Sequence, residues 1–161
     1  MGDTTNRVVI GIISDTHGLL RPAVHQAFQG VDLILHAGDV GGSDILDELR
    51  IIAPVQAVFG NTDPAGDPSM RDELILSHGG IEIHISHGHE LGVPTPAKLL
   101  AAYPQRIIIY GHTHRQLVSK SGDRLVINPG AAGARRFKLE PSVARLTIEN
   151  GEAEVEIVSL A

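Results

Sequence analysis

Five short segments carry nearly all the side chains able to hold a divalent cation or move a proton. They are Asp15-Thr16-His17, Asp39, Asn61, His87-Gly88-His89 and His112-Thr113-His114. Each follows an apolar run, and each lies beside a glycine: Gly18, Gly38, Gly60, Gly88 or Gly111. In extended backbone, residues i and i+2 point the same way. Asp15 with His17, and His112 with His114, are therefore expected to aim two ligand atoms at one point. The glycines permit tight turns and close backbone approach. Carboxylate, imidazole and amide oxygen, without any thiolate, suit Mn, Fe, Zn, Ni or Co better than Ca. The seven donors Asp15, His17, Asp39, Asn61, His87, His112 and His114 exceed what one tetrahedral site needs. With one carboxylate shared they suffice for two metals roughly 3.5–4 Å apart, the spacing of two-metal hydrolases.

The elements that must position these groups follow from periodicity. Residues 7–13 and 32–36 are short apolar runs, as in strands of a buried sheet, and 55–59 reads as a third strand. Helices are expected over 21–29, where Pro22 suits a first turn, and from Ser43, read as the N-cap, to about Arg50. The first 60 residues thus read as strand–loop–helix three times over. That order belongs to a parallel sheet with crossover helices, whose ligands gather beyond the carboxyl ends of the strands. Residues 61–71, with Pro64, Gly66 and Pro68, read as a loop. Residues 72–77 and 81–86 form an expected hairpin around His78-Gly79-Gly80, followed by a helix over 95–102 and a strand over 106–110. Further strands over 115–120, 124–128, 142–148 and 153–158 make the second half β-rich and, on this reading, antiparallel. No linker, repeat or low-complexity tract appears, so one α/β domain spanning 1–161 is expected.

Composition narrows the function classes. With 42% hydrophobic and 20% charged residues over 161 positions, wholesale disorder is excluded. Aromatics are 3% and Trp is absent, so the core must be aliphatic and a base-stacking platform is hard to build. A net charge of −6 removes the basic footprint for nucleic acid or an anionic membrane. Zero Cys removes disulfides, thiolate nucleophiles and Cys-type metal sites. No secretory signal is visible at the N-terminus, and the apolar runs are too short to span a bilayer, so a soluble, cytoplasmic protein is expected. Neither a Walker phosphate loop nor a GxSxG elbow occurs.

The remaining polar residues have blander readings. His36, inside a strand, is expected to be a buried, hydrogen-bonded core residue; His25 and His78 are expected in solvent and His84 on a strand face. Asp63 either orients a ligand or caps the loop with Pro64. Gly41 and Gly42 are candidate backbone donors at a helix start. Arg135, Arg136 and Lys138 form a basic run of the kind usually found in solvent, with a phosphate clamp as the rival role.

SDTHG (14–18), GD (38–39), GN (60–61), the strand-end His87 and GHTH (111–114) together resemble the motif series of the calcineurin-like metallophosphoesterases. Gly60-Asn61-x-Asp63, Ser86-His87-Gly88-His89 and Asn128-Pro129-Gly130 resemble most its small prokaryotic phosphodiesterase branch. Each motif alone is weak; five in order, over most of the chain, are specific. The resemblance implies a four-layer α/β/β/α sandwich of two sheets flanked by helices. It implies one metal held by Asp15, His17, Asp39 and His114 and another by Asp39, Asn61, His87 and His112, with Asp39 bridging. Mn²⁺ is the implied metal, with Ni²⁺, Co²⁺, Fe²⁺ or Zn²⁺ as substitutes. The implied reaction is in-line attack on a small phosphate ester by a hydroxide bridging the pair. Asp39, Asn61 and His89 are the expected catalytic residues. Many members place a His after the GN asparagine, where it can protonate the leaving oxygen or steady the phosphoryl group; here Thr62 stands instead. That departure favours diesters or activated esters, with proton delivery by water or by His89. No specific nucleic-acid partner or membrane is implied, and relatives in this branch are often dimers or tetramers. The rival reading is a non-catalytic, metal-binding interaction scaffold, as in the retromer subunit that shares the fold.

Overall fold

The apolar runs build two five-stranded sheets stacked face to face, in a computed structural model that describes residues 7–64, 66–134 and 138–161. In chain order the elements are β1 (Val8–Ile13), α1 (Ala23–Ala27), β2 (Leu33–His36), α2 (Ser43–Ile52), β3 (Val55–Ala57), β4 (Leu74–His78), β5 (Ile81–Ile85), a 3-10 turn at His89–Leu91, α3 (Pro96–Ala102), β6 (Ile107–Ile109), β7 (Leu117–Ser121), β8 (Arg124–Asn128), β9 (Ser142–Glu149) and β10 (Glu152–Ser159). The first sheet runs β10-β9-β1-β2-β3 and the second β4-β5-β6-β8-β7. Both sheets mix parallel and antiparallel pairs.

Ile10, Ile12 and Leu35 of the first sheet interlock with Ile83, Ile85, Ile107, Ile109 and Ile127 of the second in one aliphatic layer. Outside the first sheet, α1 and α2 cover Val9, Ile13 and Ile34 with Val24, Phe28, Leu46 and Leu49. Outside the second, Leu99 of α3 covers Ile108, Tyr110 and Val126. The result is the four-layer α/β/β/α sandwich that the resemblance implied. Its core is aliphatic, as a chain so poor in aromatics requires. Among the described residues no helix is long and apolar enough to cross a membrane.

Three expectations need correction. The strand–loop–helix unit occurs twice, not three times: β3 runs instead into a long loop, closed at its base by the bridge between Val58 and Arg71. The second half is not all antiparallel, because β5 pairs with β6, and β6 with β8, in parallel. The helix expected over 95–102 is the crossover that allows the first of these pairings, and an all-Ile strand such as β6 has no alternation to betray its direction. Ser43 is the first residue of α2, not its cap. The chain enters that helix through positive φ at Gly41 (88°) and Gly42 (139°), which moves the cap to Gly42. Thr95 of α3, by contrast, accepts a hydrogen bond from the Lys98 amide at 3.2 Å as an N-cap should.

Candidate metal centre

The loops leaving β1, β2, β3, β5 and β6 meet at one end of the sandwich, where the two sheets adjoin. Their backbones are knitted together. The Asp15 amide donates to Gly38 O, His17 to Asp39 O and Gly18 to Val40 O, each at 2.9 Å, while Gly111 donates to His87 O at 3.0 Å. This ladder bends the chain away from extended geometry. Asp15, His17, Asp39, His112 and His114 all have positive φ, between 47° and 71°. Apart from Asn150 in a turn, they are the only such non-glycine residues among those described. The paired ligands therefore converge from left-handed kinks, not from extended strands as expected. Left-handed backbone at a carboxylate or imidazole residue costs on the order of 1 kcal/mol, and its concentration here marks a site that the surroundings hold in place.

The side chains draw together at this end of the sandwich, and Asp15, not the expected Asp39, is common to the two closest groups. Asp15 Oδ1 lies 3.4 Å from His114 Nε2, 3.7 Å from His17 Nε2 and 3.9 Å from His87 Nε2. Asp39 Oδ2 lies 3.2 Å from His87 Nε2 and 3.6 Å from His17 Nε2. Asn61 Oδ1 sits 3.2 Å from His112 Nδ1, and the His112 ring packs 5.1 Å from that of His87. His89, on the 3-10 turn, stands slightly apart, its ring 5.4 Å from His87 and 6.3 Å from His112. Two groups of three, Asp15 with His17 and His114, and Asp15 with Asp39 and His87, are close enough to hold an ion.

The donor set fits a divalent cation on its own chemistry. Asp15 Oδ1 and His87 Nε2 are buried and have no hydrogen-bond partner. Such orphans are rare in native interiors unless something else satisfies them. The other oxygen of Asp15 accepts from Ser14 Oγ at 2.6 Å and from the His112 amide at 3.1 Å. His87 Nδ1 lies 2.8 Å from Ala37 O, which only accepts, so Nδ1 carries a proton and Nε2 is the ring atom free to ligate a cation, on the side of the two carboxylates.

Electrostatics point the same way. Burial by itself would raise the Asp15 carboxyl, yet His114, His17, His87 and Ser14 hold it well below the usual carboxylate range. Burial also opposes ionisation of Asp39, and His87 and Thr62 outweigh it, bringing that group to about 2. Burial disfavours charge on His87, but the adjoining Asp39 and Asp15 carboxylates raise it overall. On His112, burial and the neighbouring His87 lower it. Both carboxylates are therefore ionised near neutrality, as metal ligation requires.

Support comes from residues that the sequence reading left aside. Asn128 Nδ2 donates to Gly111 O (3.1 Å) and Thr113 Oγ1 (3.0 Å), fixing the GHTH loop from the end of β8. Asp63 accepts from the amides of Val40 (3.0 Å), Gly41 (3.1 Å) and Gly60 (2.9 Å), which settles its role as a clasp between two loops. The Gly41 donor is thereby already committed. His36 is fully buried, as expected, and lies 3.0 Å from Thr16 Oγ1. His25 stays largely in solvent beside Glu48, and His84 stacks on Tyr103 at 3.7 Å on the outer face of the second sheet. Arg135 and Arg136 lie outside the described residues, and Lys138 is exposed.

A sequence profile described as the calcineurin-like phosphoesterase superfamily domain matches residues 8–151. The chain belongs to that superfamily. A probable metallophosphoesterase of Methanothermobacter thermautotrophicus is 33% identical over 159 residues, covering 94% of this chain and 92% of its own. A phosphodiesterase of Methanocaldococcus jannaschii is 30% identical, covering 75% of this chain and 82% of its own. In fold, this phosphoesterase-family chain is similar to a Vps29 variant from Entamoeba histolytica. That likeness has a TM-score of 0.79 and 22% identity, over 96% of this chain and all of the other.

Proposed function

We propose that this phosphoesterase-family chain is a phosphodiesterase that uses two divalent metal ions, Mn²⁺ first among them, to hydrolyse a small phosphate ester. The observation that carries the reading is the pair of buried, unpartnered ligand atoms, Asp15 Oδ1 and His87 Nε2, facing one another across the junction of the two sheets. Asp15, His17, Asp39 and His114 would hold one ion, and Asp39, Asn61, His87 and His112 the other. When bound, such a pair supplies a nucleophile from water near neutral pH and neutralises charge on the phosphoryl oxygens.

The chain's own residues do the rest. Asp39 and Asp15 supply the negative charge that retains two dications in a protein of net charge −6, leaving a locally positive mouth for an anionic ester. Thr62 cannot serve the leaving oxygen, since its hydroxyl hydrogen is directed to Asp39 Oδ1 at 2.8 Å. That favours diesters with a good leaving group over alkyl monoesters, with proton delivery by water or by His89 beside the cluster.

The test is release of nitrophenol from bis-(p-nitrophenyl) phosphate in the presence of Mn²⁺, with Asp39→Asn alongside. The variant should lose at least about 10³-fold, because the shared ligand goes. Absence of turnover with all of Mn²⁺, Ni²⁺, Co²⁺, Fe²⁺ and Zn²⁺ would favour the scaffold reading.

A further inference from the structure

We infer that Thr62 is the positioning residue that aims the Asp39 carboxylate, so that Oδ2 alone faces the donor cluster. The inference rests on the two-metal reading above. A carboxylate turns about a broad, roughly two-fold torsion, so either oxygen, or both, can face a cation unless something pins it. Here Oδ1 accepts two hydrogen bonds from one residue, the Thr62 amide at 3.0 Å and the Thr62 hydroxyl at 2.8 Å. The carboxylate is also pressed against the next loop: a Cβ on Gly60 would stand 2.0 Å from Oδ1. Oδ2 is left between His87 Nε2 (3.2 Å) and His17 Nε2 (3.6 Å), one imidazole from each half of the site. An oxygen so placed can be shared by two cations, whereas a carboxylate free to rotate can turn both oxygens to one.

Any residue but proline at position 62 can offer the amide. The second bond needs a hydroxyl. The position where a His would serve the leaving group is thus given over to holding the shared ligand.

The experiment compares full-length wild type, Thr62→Val and Thr62→Ser by Mn²⁺ calorimetry and by electron paramagnetic resonance of the Mn²⁺-loaded proteins. Removing a hydrogen bond that orients a metal ligand typically weakens the metal about 10- to 100-fold. Thr62→Val should therefore bind its second Mn²⁺ at least about tenfold more weakly and lose the exchange-coupled signal of a close pair. Thr62→Ser should restore both to within about threefold. Metal-free Thr62→Val should melt about 3–6 °C below wild type, the cost of one bond to a charged group, and Thr62→Ser within about 2 °C of it, so both variants fold. A Thr62→Val protein that binds two ions as tightly as wild type, with the same coupled spectrum, overturns the inference while leaving the two-metal reading intact. A wild type that binds fewer than two ions overturns that reading, and the inference with it. Failure of Thr62→Ser to rescue overturns the hydroxyl's role.

Discussion

The two sheets contribute to the site in different ways. The first provides both carboxylates, His17 and the Asn61 amide; the Asp15 and Asp39 loops are bonded backbone to backbone, and the Asn61 loop joins them through the Asp63 and Asp39 side chains. Asp15 and Asp39 are 1% and 3% exposed, and Asp63 clasps two of their loops together. The second sheet provides His87, His112 and His114, and beyond His87 its loops are tied more sparsely. The GHTH loop is held by Asn128 and by its own Gly111 and His112 amides, and the 88–91 turn by Glu90. The carboxylates stay ionised through the imidazoles that converge on them from both sheets, together with Ser14 and Thr62 of the first, so the anions sit where the chain is most tightly bonded. A rigid anionic half therefore faces a more compliant basic half, and perturbing each should have unequal consequences.

The largest effect is expected at Gly41. It has φ +88°, and a Cβ there would stand 2.1 Å from the Gly18 amide nitrogen and 2.5 Å from the His17 carbonyl carbon. Both contacts are backbone, so no side chain can swing aside. Gly41→Ala should cost roughly 4 kcal/mol, from overpacking together with the left-handed conformation, read as the denaturant midpoint of the metal-free protein. A cost under about 0.5 kcal/mol would show that the first-sheet loops are no more fixed than a surface turn.

How much of this could be read from the chain depends on whether a residue's role is local. His87 and the pair His112 and His114 stand out at strand ends by themselves. Asp15, Asp39 and Asn61 need the ordered series around them, since a lone Asp or Asn after a strand is most often a turn former or helix cap. Asn128 was seen only as part of a turn, because its bonds to Gly111 and Thr113 cross from another strand end. The left-handed kinks were invisible for the same reason. At Asp15 and His17 they accompany bonds to carbonyls of the neighbouring loop, and Asp and His, though enriched at positive φ, adopt it too seldom for residue type alone to show it. Strand existence was clear; strand partners were not. The stacking of two sheets came from the family resemblance and not from periodicity.

An intermediate effect should come from His36, which seats the first-sheet loop. Its Nδ1 accepts from the Gly38 amide at 3.1 Å, so Nε2 carries the proton and faces Thr16 Oγ1, whose own hydrogen goes to Val40 O at 2.7 Å. Burial lowers this ring to about 4, despite nearby carboxylates that favour its charge. Between about pH 6.5 and 4 the unfolded chain binds a proton that the folded chain refuses, so stability falls as the pH drops through that window. The loss should reach on the order of 3 kcal/mol. His87 acts in the opposite sense, because its raised value adds stability in acid that fades as the pH rises. The difference between wild type and His36→Gln therefore isolates the effect. Urea denaturation of the metal-free proteins should show a shallower decline in the variant from pH 6.5 to 4. Parallel curves would mean that His36 titrates freely.

The smallest effect should fall on the compliant half, at Tyr103. Its hydroxyl donates to Glu90 Oε2 at 2.5 Å, and Glu90 Oε1 accepts from the Gly88 amide at 3.2 Å. Burial and the adjacent Glu90 push the phenol up to about 12, so it remains a donor throughout the working range. Tyr103→Phe keeps the ring stacked on His84 but removes that bond to a charged group, at a cost of about 1–2 kcal/mol, or roughly 3–6 °C in melting temperature. Gly88 lies between His87 and His89, so turnover of bis-(p-nitrophenyl) phosphate should fall about two- to fivefold, with little change in Mn²⁺ affinity. His87 keeps its own anchor on Ala37 O, which is why the metal should hardly notice. If Tyr103→Phe were to weaken Mn²⁺ binding tenfold or more, the second sheet's loops would be as tightly coupled as those of the first, and the contrast between the two halves would be lost.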